Sequence, residues 1–176
     1  MSAHADRTRR LVLLRHAKAQ QDFDGPDALR ALTGVGQRQS AWVGESLRAA
    51  GLAPELTLVS SAVRTQQTWS YLADAFDPEP ETDQRDELYG AGPGTVLEVV
   101  RGVDERVRTV LVVGHEPTIS RTAALLASGD SSPELVERVA WGVPTATYAV
   151  LELSRGWDAL DPQGARLVDV VVAPKS

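Results

Sequence analysis

Two histidines and two arginines lie where strongly apolar stretches of the sequence end. Arg15 and His16 follow LVLL, Arg64 lies just beyond LTLVS, and His115 follows VLVVG. Apolar runs of this kind predict buried strands, and ligands of open α/β sheets bind at the carboxyl ends of such strands. Four such side chains at one edge would repel one another unless they shared an anion. A phosphoryl group suits them, because guanidinium groups bind its oxygens in pairs.

The same arrangement would make one imidazole a nucleophile. Neighbouring cations lower the pKa of a histidine and keep its ring neutral, as a nucleophile must be. The chain has only three histidines, and the remaining one, His4, lies near the N-terminus. Each residue taken alone is typical of an ordinary structural position, and spacing alone supports the structural and phosphoryl-binding interpretations equally.

The elements that would position these residues alternate along the chain. Apolar runs predict strands at 10–14, 55–60 and 108–114, whereas helices are predicted at 32–51, 62–76, 92–103, 117–128 and 132–140. The turn-rich stretch 154–164 separates two later strands, 145–153 and 165–174, which predicts an antiparallel pair. This order predicts an α/β fold, a three-layer sandwich with helices on both faces of a mixed, mostly parallel sheet.

The first long helix illustrates how its bounds are predicted. Thr33 is the expected N-cap and Gly51 the expected stop. A single buried stripe along this helix is expected to contain Val35, Trp42, Val43, Leu47 and Ala50.

Size and composition restrict the classes of protein to consider. The 176 residues suit one domain at 10–176, preceded by a flexible tail at 1–9. A net charge of −6 argues against general binding to nucleic acid or a membrane surface. The absence of cysteine excludes disulfides and thiolate chemistry. No apolar run is long enough to span a membrane, so we expect a soluble, cytoplasmic monomer.

Other catalytic sites have weaker support. Glu87 or Glu116 could join the two histidines in an iron site, but Arg15 would repel the cation. HEPTI begins like a zinc-protease helix yet lacks the second histidine, and Pro117 interrupts it. The G-x-S-x-G, Walker A and G-x-G-x-x-G motifs are absent.

Three motifs in order resemble the histidine phosphatase superfamily, the phosphoglycerate-mutase-like enzymes. LLRHAKA resembles its Arg-His signature, SSAVRTQQTW its Ser-x-x-x-Arg-x-x-x-Thr motif with Ser60, Arg64 and Thr68, and LVVGHEPTIS its third motif. The resemblance covers essentially the whole chain. The short length, RHAK in place of Arg-His-Gly, and the stretches LTGVGQRQS and DELYGAG are similar to the small SixA-type phosphohistidine phosphatases.

The resemblance implies a role for each matching position. His16 would be the nucleophile that carries a transient phosphoryl group. Arg15 and Arg64 would bind the phosphoryl oxygens, and His115 would complete the pocket with a hydrogen bond. Such catalysis works by positioning and charge stabilisation and needs no metal, nucleotide or other cofactor.

Several further residues have open assignments. Related phosphomonoesterases carry an acidic residue between the second and third motifs to protonate the leaving group. Glu87, with Asp86 as its neighbour, is the positional candidate, either as that acid or as a solvated loop carboxylate. Lys18 either attracts an anionic substrate or is an ordinary surface lysine. Ser60, in the second motif, is a candidate substrate-binding residue. The loop residues Asp24, Asp27 and Arg30 either shape the entrance or pair with one another at the surface.

The leading hypothesis is a metal-independent phosphatase that acts on protein phosphohistidine. The alternatives are a phosphomonoesterase for a small phosphorylated metabolite and a non-catalytic module that binds phosphate. The expected partners are therefore a histidine-phosphorylated protein or a small phosphorylated molecule.

Overall fold

A computed structural model describes residues 8–176, which form one mixed sheet with helices on both faces. The strands are β1 (Arg9–Arg15), β2 (Leu56–Ser60), β3 (Glu81–Arg85), β4 (Thr109–Gly114), β5 (Thr147–Leu153) and β6 (Arg166–Val172). The α-helices are α1 (Gly34–Ala49), α2 (Val63–Ala73), α3 (Pro93–Arg101), α4 (Thr118–Leu126) and α5 (Pro133–Ala140). Short 3₁₀ turns cover Asp27–Leu29, Asp86–Leu88 and Trp157–Ala159.

The sheet confirms the predicted architecture. Its strand order is β3-β2-β4-β1-β5-β6, in which β3, β2, β4 and β1 run parallel and β5 is antiparallel to both of its neighbours. The parallel strands read as continuous apolar runs because they are covered on both faces. In β4, for example, every residue is buried.

Two hydrophobic cores lie on opposite faces of the sheet. Along β1, Leu11 and Leu13 point into one core while Val12 and Leu14 point into the other, as the two-residue period of a strand requires. Helices α3, α4 and α5 cover the first face, and α1 and α2 cover the second. This completes the three layers.

The register of the parallel strands aligns their carboxyl ends. Arg15 of β1 pairs with Gly114 of β4, and Val59 of β2 pairs with Val113 in the same strand. The residues that follow these ends, His16 and His115, therefore leave the sheet side by side. The first and third motifs therefore lie at one edge of the sheet, as expected.

The fold also corrects three expectations. The predicted tail, 1–9, extends one residue too far, because Arg9 already belongs to β1; residues 1–7 lie outside the described part of the chain. Strand β3 was not predicted, since its sequence ETDQR is polar and mostly exposed at the sheet edge. Two residues of the predicted stripe of α1 are exposed: Trp42, at 38%, and Ala50, which follows the helix as its C-cap. Val43 and Leu47 are buried as expected.

The ends of α1 follow the predicted signals. The Thr33 side chain accepts a hydrogen bond from the Gly36 amide, as an N-cap does. Gly51 follows the helix with a φ of +70°, a conformation that glycine adopts without steric cost. Within residues 8–176, no helix combines the length and the apolarity needed to cross a membrane.

Candidate active site

His16 is held in one orientation at the end of β1. Its amide donates to the Gly114 carbonyl at 3.0 Å, and the next amide, Ala17, donates to Thr68 Oγ1 at 3.0 Å. In the ring, Nδ1 lies 2.8 Å from the Ala17 carbonyl oxygen. Because a carbonyl only accepts hydrogen bonds, Nδ1 carries the ring proton. The lone pair of the neutral ring is therefore on Nε2, where a nucleophile needs it.

His115 follows β4, and its ring lies beside that of His16. The two ring centroids are 5.4 Å apart, and the ring of Tyr89 contacts His115 edge-on at 5.6 Å. His115 Nε2 lies 2.8 Å from Ser60 Oγ, and Nδ1 is buried with no hydrogen-bond partner. When the Ser60 hydroxyl donates to Nε2, the proton of the neutral ring is on Nδ1. His115 then offers an unpaired N–H.

Both imidazoles are tuned toward the neutral form. Burial is the main cause that lowers the pKa of His16 to about 3, with His115, Arg64 and Arg15 lowering it further against the hydrogen bond to Ala17. Burial and the charge of Arg64 lower the pKa of His115 to about 4. Each effect disfavours a protonated ring. At neutral pH His16 therefore keeps the lone pair that attack on phosphorus requires.

Terminal Nη nitrogens anchor the guanidinium groups of both arginines. Arg15 Nη1 donates to the Val143 carbonyl at 2.7 Å. Arg64, which is 6% exposed, donates from Nη1 to the Asp27 carbonyl at 2.9 Å and from Nη2 to Asp27 Oδ2 at 3.0 Å. In both arginines Nε is buried and has no hydrogen-bond partner. Unpaired buried donors are costly and require an explanation.

The residues that carry these unpaired donors line one cavity. Its volume is 220 Å³, and it is lined by Arg15, His16, Lys18, Ala19, Gln21, Arg30, Arg64, His115, Glu116 and Thr145. The Nε groups of Arg15 and Arg64 and Nδ1 of His115 belong to residues on its wall. His16 lines the same cavity, and its Nε2 is the ring nitrogen with a free lone pair. A phosphoryl group in the cavity would lie against both arginines and both histidines, a set of residues that suits phosphoryl transfer.

Glu116 holds the segment that supports Arg15. Its Oε1 accepts from the Ser120 amide at 2.8 Å, and its Oε2 accepts from the Ser120 hydroxyl at 2.7 Å and from the Val143 amide at 3.0 Å. The carbonyl of the same Val143 accepts from Arg15. The carboxylate thus fixes the backbone that orients the arginine. It also lines the cavity, but its oxygens are occupied by donors.

The chain is similar to known proteins over most of its length. The chain is 38% identical over 156 residues to an uncharacterised protein of Mycobacterium tuberculosis strain H37Rv, which covers 88% of this chain and 96% of the relative. A candidate phosphohistidine phosphatase SixA from Nakamurella multipartitia is 34% identical, with a TM-score of 0.84 over 94% of this chain and 96% of the other.

The chain belongs to the histidine phosphatase superfamily. Another similar structure is that of a candidate phosphohistidine phosphatase SixA from Agrobacterium tumefaciens. That protein is 30% identical, with a TM-score of 0.76 over 94% of this chain and 99% of its own. A scan against models of protein families gave no match.

Within this superfamily fold, Glu87 lies apart from the phosphoryl cavity. It belongs to the 3₁₀ turn after β3, is 47% exposed at its side chain, and its Oε1 forms an ion pair with Arg85 Nε at 3.1 Å. It does not line the cavity. The structure therefore does not bring Glu87 to the histidines, and its position agrees with the solvated-carboxylate interpretation.

The structure also shows where Ser60 and Lys18 lie relative to the cavity. Ser60 is fully buried and contacts His115, so it positions that ring and does not face substrate. Lys18 lies on the cavity wall with an exposed side chain, and its amide donates to Gln39 Oε1 at 3.1 Å. Of the two earlier interpretations of Lys18, this location favours the one in which it meets an anionic substrate.

The sequence did not identify Tyr89 as part of the site. Its hydroxyl donates to Asp27 Oδ2 at 2.7 Å, the same oxygen that binds Arg64. The hydrogen bond from Tyr89, followed by those from Arg30 and Arg64, keeps the pKa of Asp27 below its usual range. Asp27 thus joins the predicted entrance loop to Arg64. The only signal for Tyr89 was its place in DELYG, two residues after Glu87.

The residues of the site do not form a metal site. Within residues 8–176, no three His, Cys, Asp or Glu side chains are grouped so that they could hold a metal ion. Both carboxylates considered for an iron site have other partners, Glu87 with Arg85 and Glu116 with Ser120 and Val143.

Proposed function

We propose that this protein is a metal-independent phosphatase that hydrolyses phosphohistidine on a protein, through a phosphoryl group carried transiently by His16. The superfamily supports phosphatase activity in general, and the residues of the cavity support this substrate. The observation that carries the choice of substrate is the lack of an available acid: among the described residues that line the cavity, Glu116 is the one carboxylate, and donors occupy both of its oxygens.

A phosphohistidine substrate does not need that acid. In the first step His16 Nε2 forms a bond to phosphorus while the bond from phosphorus to the substrate imidazole breaks. The electron pair of the broken bond stays on that ring nitrogen. A phosphoimidazole that is protonated on its other ring nitrogen then leaves as a neutral imidazole. An alkoxide, by contrast, would need a proton from the enzyme.

The second step releases the phosphoryl group to water. The water oxygen forms a bond to phosphorus, the bond from phosphorus to His16 Nε2 breaks, and inorganic phosphate forms as the proton of water passes to solvent. During both steps the N–H groups of Arg15, Arg64 and His115 stabilise the charge on the transferring oxygens. No metal is required, because these donors supply the positive charge.

The size of the cavity also favours a macromolecular substrate. A typical pocket for a small-molecule ligand has a volume of roughly 300–1,000 Å³, and this cavity measures 220 Å³. It is smaller than that range, so most of a macromolecular substrate would lie outside it.

One set of assays tests the proposal. The protein is incubated with a histidine-phosphorylated protein and, separately, with an aryl phosphate, each with and without a chelator. We expect chelator-independent release of phosphate, faster from phosphohistidine, and its loss in His16→Asn. Loss of turnover with chelator would contradict the metal-free mechanism, and faster release from the aryl phosphate would favour the phosphomonoesterase. Phosphate binding without any turnover would favour the non-catalytic module.

A further inference from the structure

A second hollow adjoins the phosphoryl cavity. Its volume is 270 Å³, and its wall consists of Lys18, Gln21, Gln39, Pro144, Thr145, Val172, Ala173 and Lys175. We call it the lysine hollow. Three of these residues, Lys18, Gln21 and Thr145, also line the phosphoryl cavity. The two hollows are therefore adjacent, so a substrate bound at His16 could extend into the lysine hollow.

The charge of this hollow is unusual for the chain. The sequence contains only two lysines, Lys18 and Lys175, and the fold brings both to this one place. Both side chains are exposed, and neither has a carboxylate partner in the described part of the chain. In a protein of net charge −6, this makes a local positive patch beside the active site.

A buried amide fixes the two lysine-bearing segments together. Gln39, which is 6% exposed, accepts from the Lys18 amide with Oε1 and donates to the Pro174 carbonyl with Nε2, each at 3.1 Å. Ala173, two residues before Lys175, also donates from its amide to the Ala146 carbonyl at 3.2 Å. Hydrogen bonds therefore fix the backbone on both sides of the lysine hollow.

The neighbouring surface favours a protein as the occupant. Trp141 is 87% exposed, and it begins the loop that continues to Pro144 and Thr145 on the wall of the hollow. A solvent-exposed indole is typical of a contact with another protein surface. The lysines select for negative charge and the indole for an apolar neighbour.

We propose that the lysine hollow binds an acidic side chain of a histidine-phosphorylated protein, beside the phosphohistidine that enters the phosphoryl cavity. This inference rests on the proposed function, because it assigns the substrate of the same site. Lys18 and Lys175 would pair with the carboxylate, and the enzyme would therefore prefer phosphohistidine in acidic surroundings.

Three phosphohistidine peptides test the inference. They are identical except for flanking residues that are acidic, neutral or basic. For the wild-type protein we expect kcat/KM to be about tenfold higher for the acidic than for the neutral peptide, since each exposed ion pair contributes a few-fold. The basic peptide should be the slowest. High salt should reduce the differences, because it screens exposed charges.

Charge reversal at Lys175, which lines the hollow but not the phosphoryl cavity, gives the sharpest variant. In Lys175→Glu the preference for the acidic over the neutral peptide should disappear or invert. Arg155→Glu is the matched control, because Arg155 is an exposed residue after β5, at the opposite end of the sheet from His16, and lines neither hollow. It should keep the wild-type ratio, which separates a local contact from the change in net charge.

The outcomes distinguish this inference from the function on which it rests. Equal hydrolysis of the three peptides, or an unchanged ratio in Lys175→Glu, would overturn the acidic-substrate assignment while leaving the phosphohistidine phosphatase intact. Failure to hydrolyse any of the three would overturn the proposed function itself. Faster hydrolysis of a small phosphorylated carboxylic acid than of every peptide would assign the lysine hollow to a metabolite and also overturn the inference.

Discussion

Two concave regions of the molecule differ in size and in chemistry. The phosphoryl cavity, at the carboxyl ends of β1 and β4, measures 220 Å³ and is lined by side chains with unpaired buried nitrogens. A larger hollow of 820 Å³ lies along the edge strand β3, near the amino ends of β2 and β4. There the charged groups pair with one another. Asp104 pairs with Arg106, and Arg85, whose Nε is buried without a hydrogen bond, pairs with Asp83 and Glu87.

Residues of the smaller region carry three unpaired buried nitrogens and those of the larger region carry one, so these groups, and not volume, distinguish the candidate site. Paired carboxylates and guanidinium groups gain little from a further ligand, and exposed pairs contribute little to stability. The donors of Arg15, Arg64 and His115, by contrast, are desolvated without a partner. We therefore place the proposed reactive site in the smaller region, beside His16.

Matched arginine substitutions test most directly whether the two regions differ in their importance for activity. Arg64→Met should lower kcat/KM for a phosphohistidine protein by about 10²–10³-fold, because it removes a preorganised donor from the phosphoryl group. Arg106→Met, in the larger hollow, should change it less than about twofold, because its side chain is 90% exposed and paired with a surface carboxylate. Similar losses in both variants would show that the two regions do not differ as we infer.

Removing the hydroxyl group that contacts His115 should have a smaller effect on kcat/KM. Ser60→Ala removes the hydroxyl that orients His115 Nε2, and we expect about a five- to tenfold loss of kcat/KM, the equivalent of one net hydrogen bond. Nitrogen NMR should show a mixture of His115 tautomers in this variant. Ser61→Ala is the adjacent control and should keep both the rate and the tautomer. An unchanged tautomer in Ser60→Ala would remove Ser60 from the site.

The protonation state of the two histidines tests the electrostatic properties of the phosphoryl cavity. Because burial lowers the pKa of His16 to about 3 and of His115 to about 4, both rings should stay neutral from pH 8 to pH 5. Their NMR shifts should be flat over that range, whereas the same histidines in urea should titrate near pH 6.5. A midpoint near 6.5 in the folded protein would contradict the neutral nucleophile.

The same pKa shifts predict a loss of stability in acid. Between about pH 6.5 and the lowered pKa values, the unfolded chain binds protons that the folded histidines do not. The free energy of unfolding should therefore fall as the pH decreases through this window. Urea denaturation at several pH values measures it, and a contribution from His16 would be absent in His16→Asn.

The smallest expected effect concerns Glu87. Glu87→Gln removes a half-exposed ion pair with Arg85 outside the cavity, so hydrolysis of phosphohistidine should change less than about twofold. Asp83→Gln, which removes the other carboxylate paired with Arg85, serves as the control and should behave alike. A large loss in Glu87→Gln alone would make Glu87 the general acid and favour a phosphomonoester substrate.

Much of the fold could be predicted because its central elements are strongly patterned. The strands β1, β2 and β4 are apolar runs that end beside polar motifs, and a shared sheet edge then brings Arg15, His16, Arg64 and His115 together. Edge strand β3 lacks that pattern. Its side chains are polar and face solvent, so only its pairing with β2 makes it a strand.

The supporting contacts could not be predicted in the same way. Tyr89 and Asp27 are 62 residues apart, and their hydrogen bond depends on how two irregular loops meet above the sheet. Glu116 was considered as a metal ligand, but its bond to the Val143 amide shows that it fixes backbone instead. Local sequence patterns do not show which distant parts of the chain come into contact.

The central claim is that His16 carries the phosphoryl group. Its most direct test is to mix the protein with a phosphohistidine protein, quench in alkali within one turnover, and locate the phosphoryl group by mass spectrometry. We predict a phosphoenzyme modified at His16 that forms and decays at the rate of turnover and is absent in His16→Asn. Phosphate release without a phosphoenzyme, or a phosphoryl group on another residue, would contradict the mechanism.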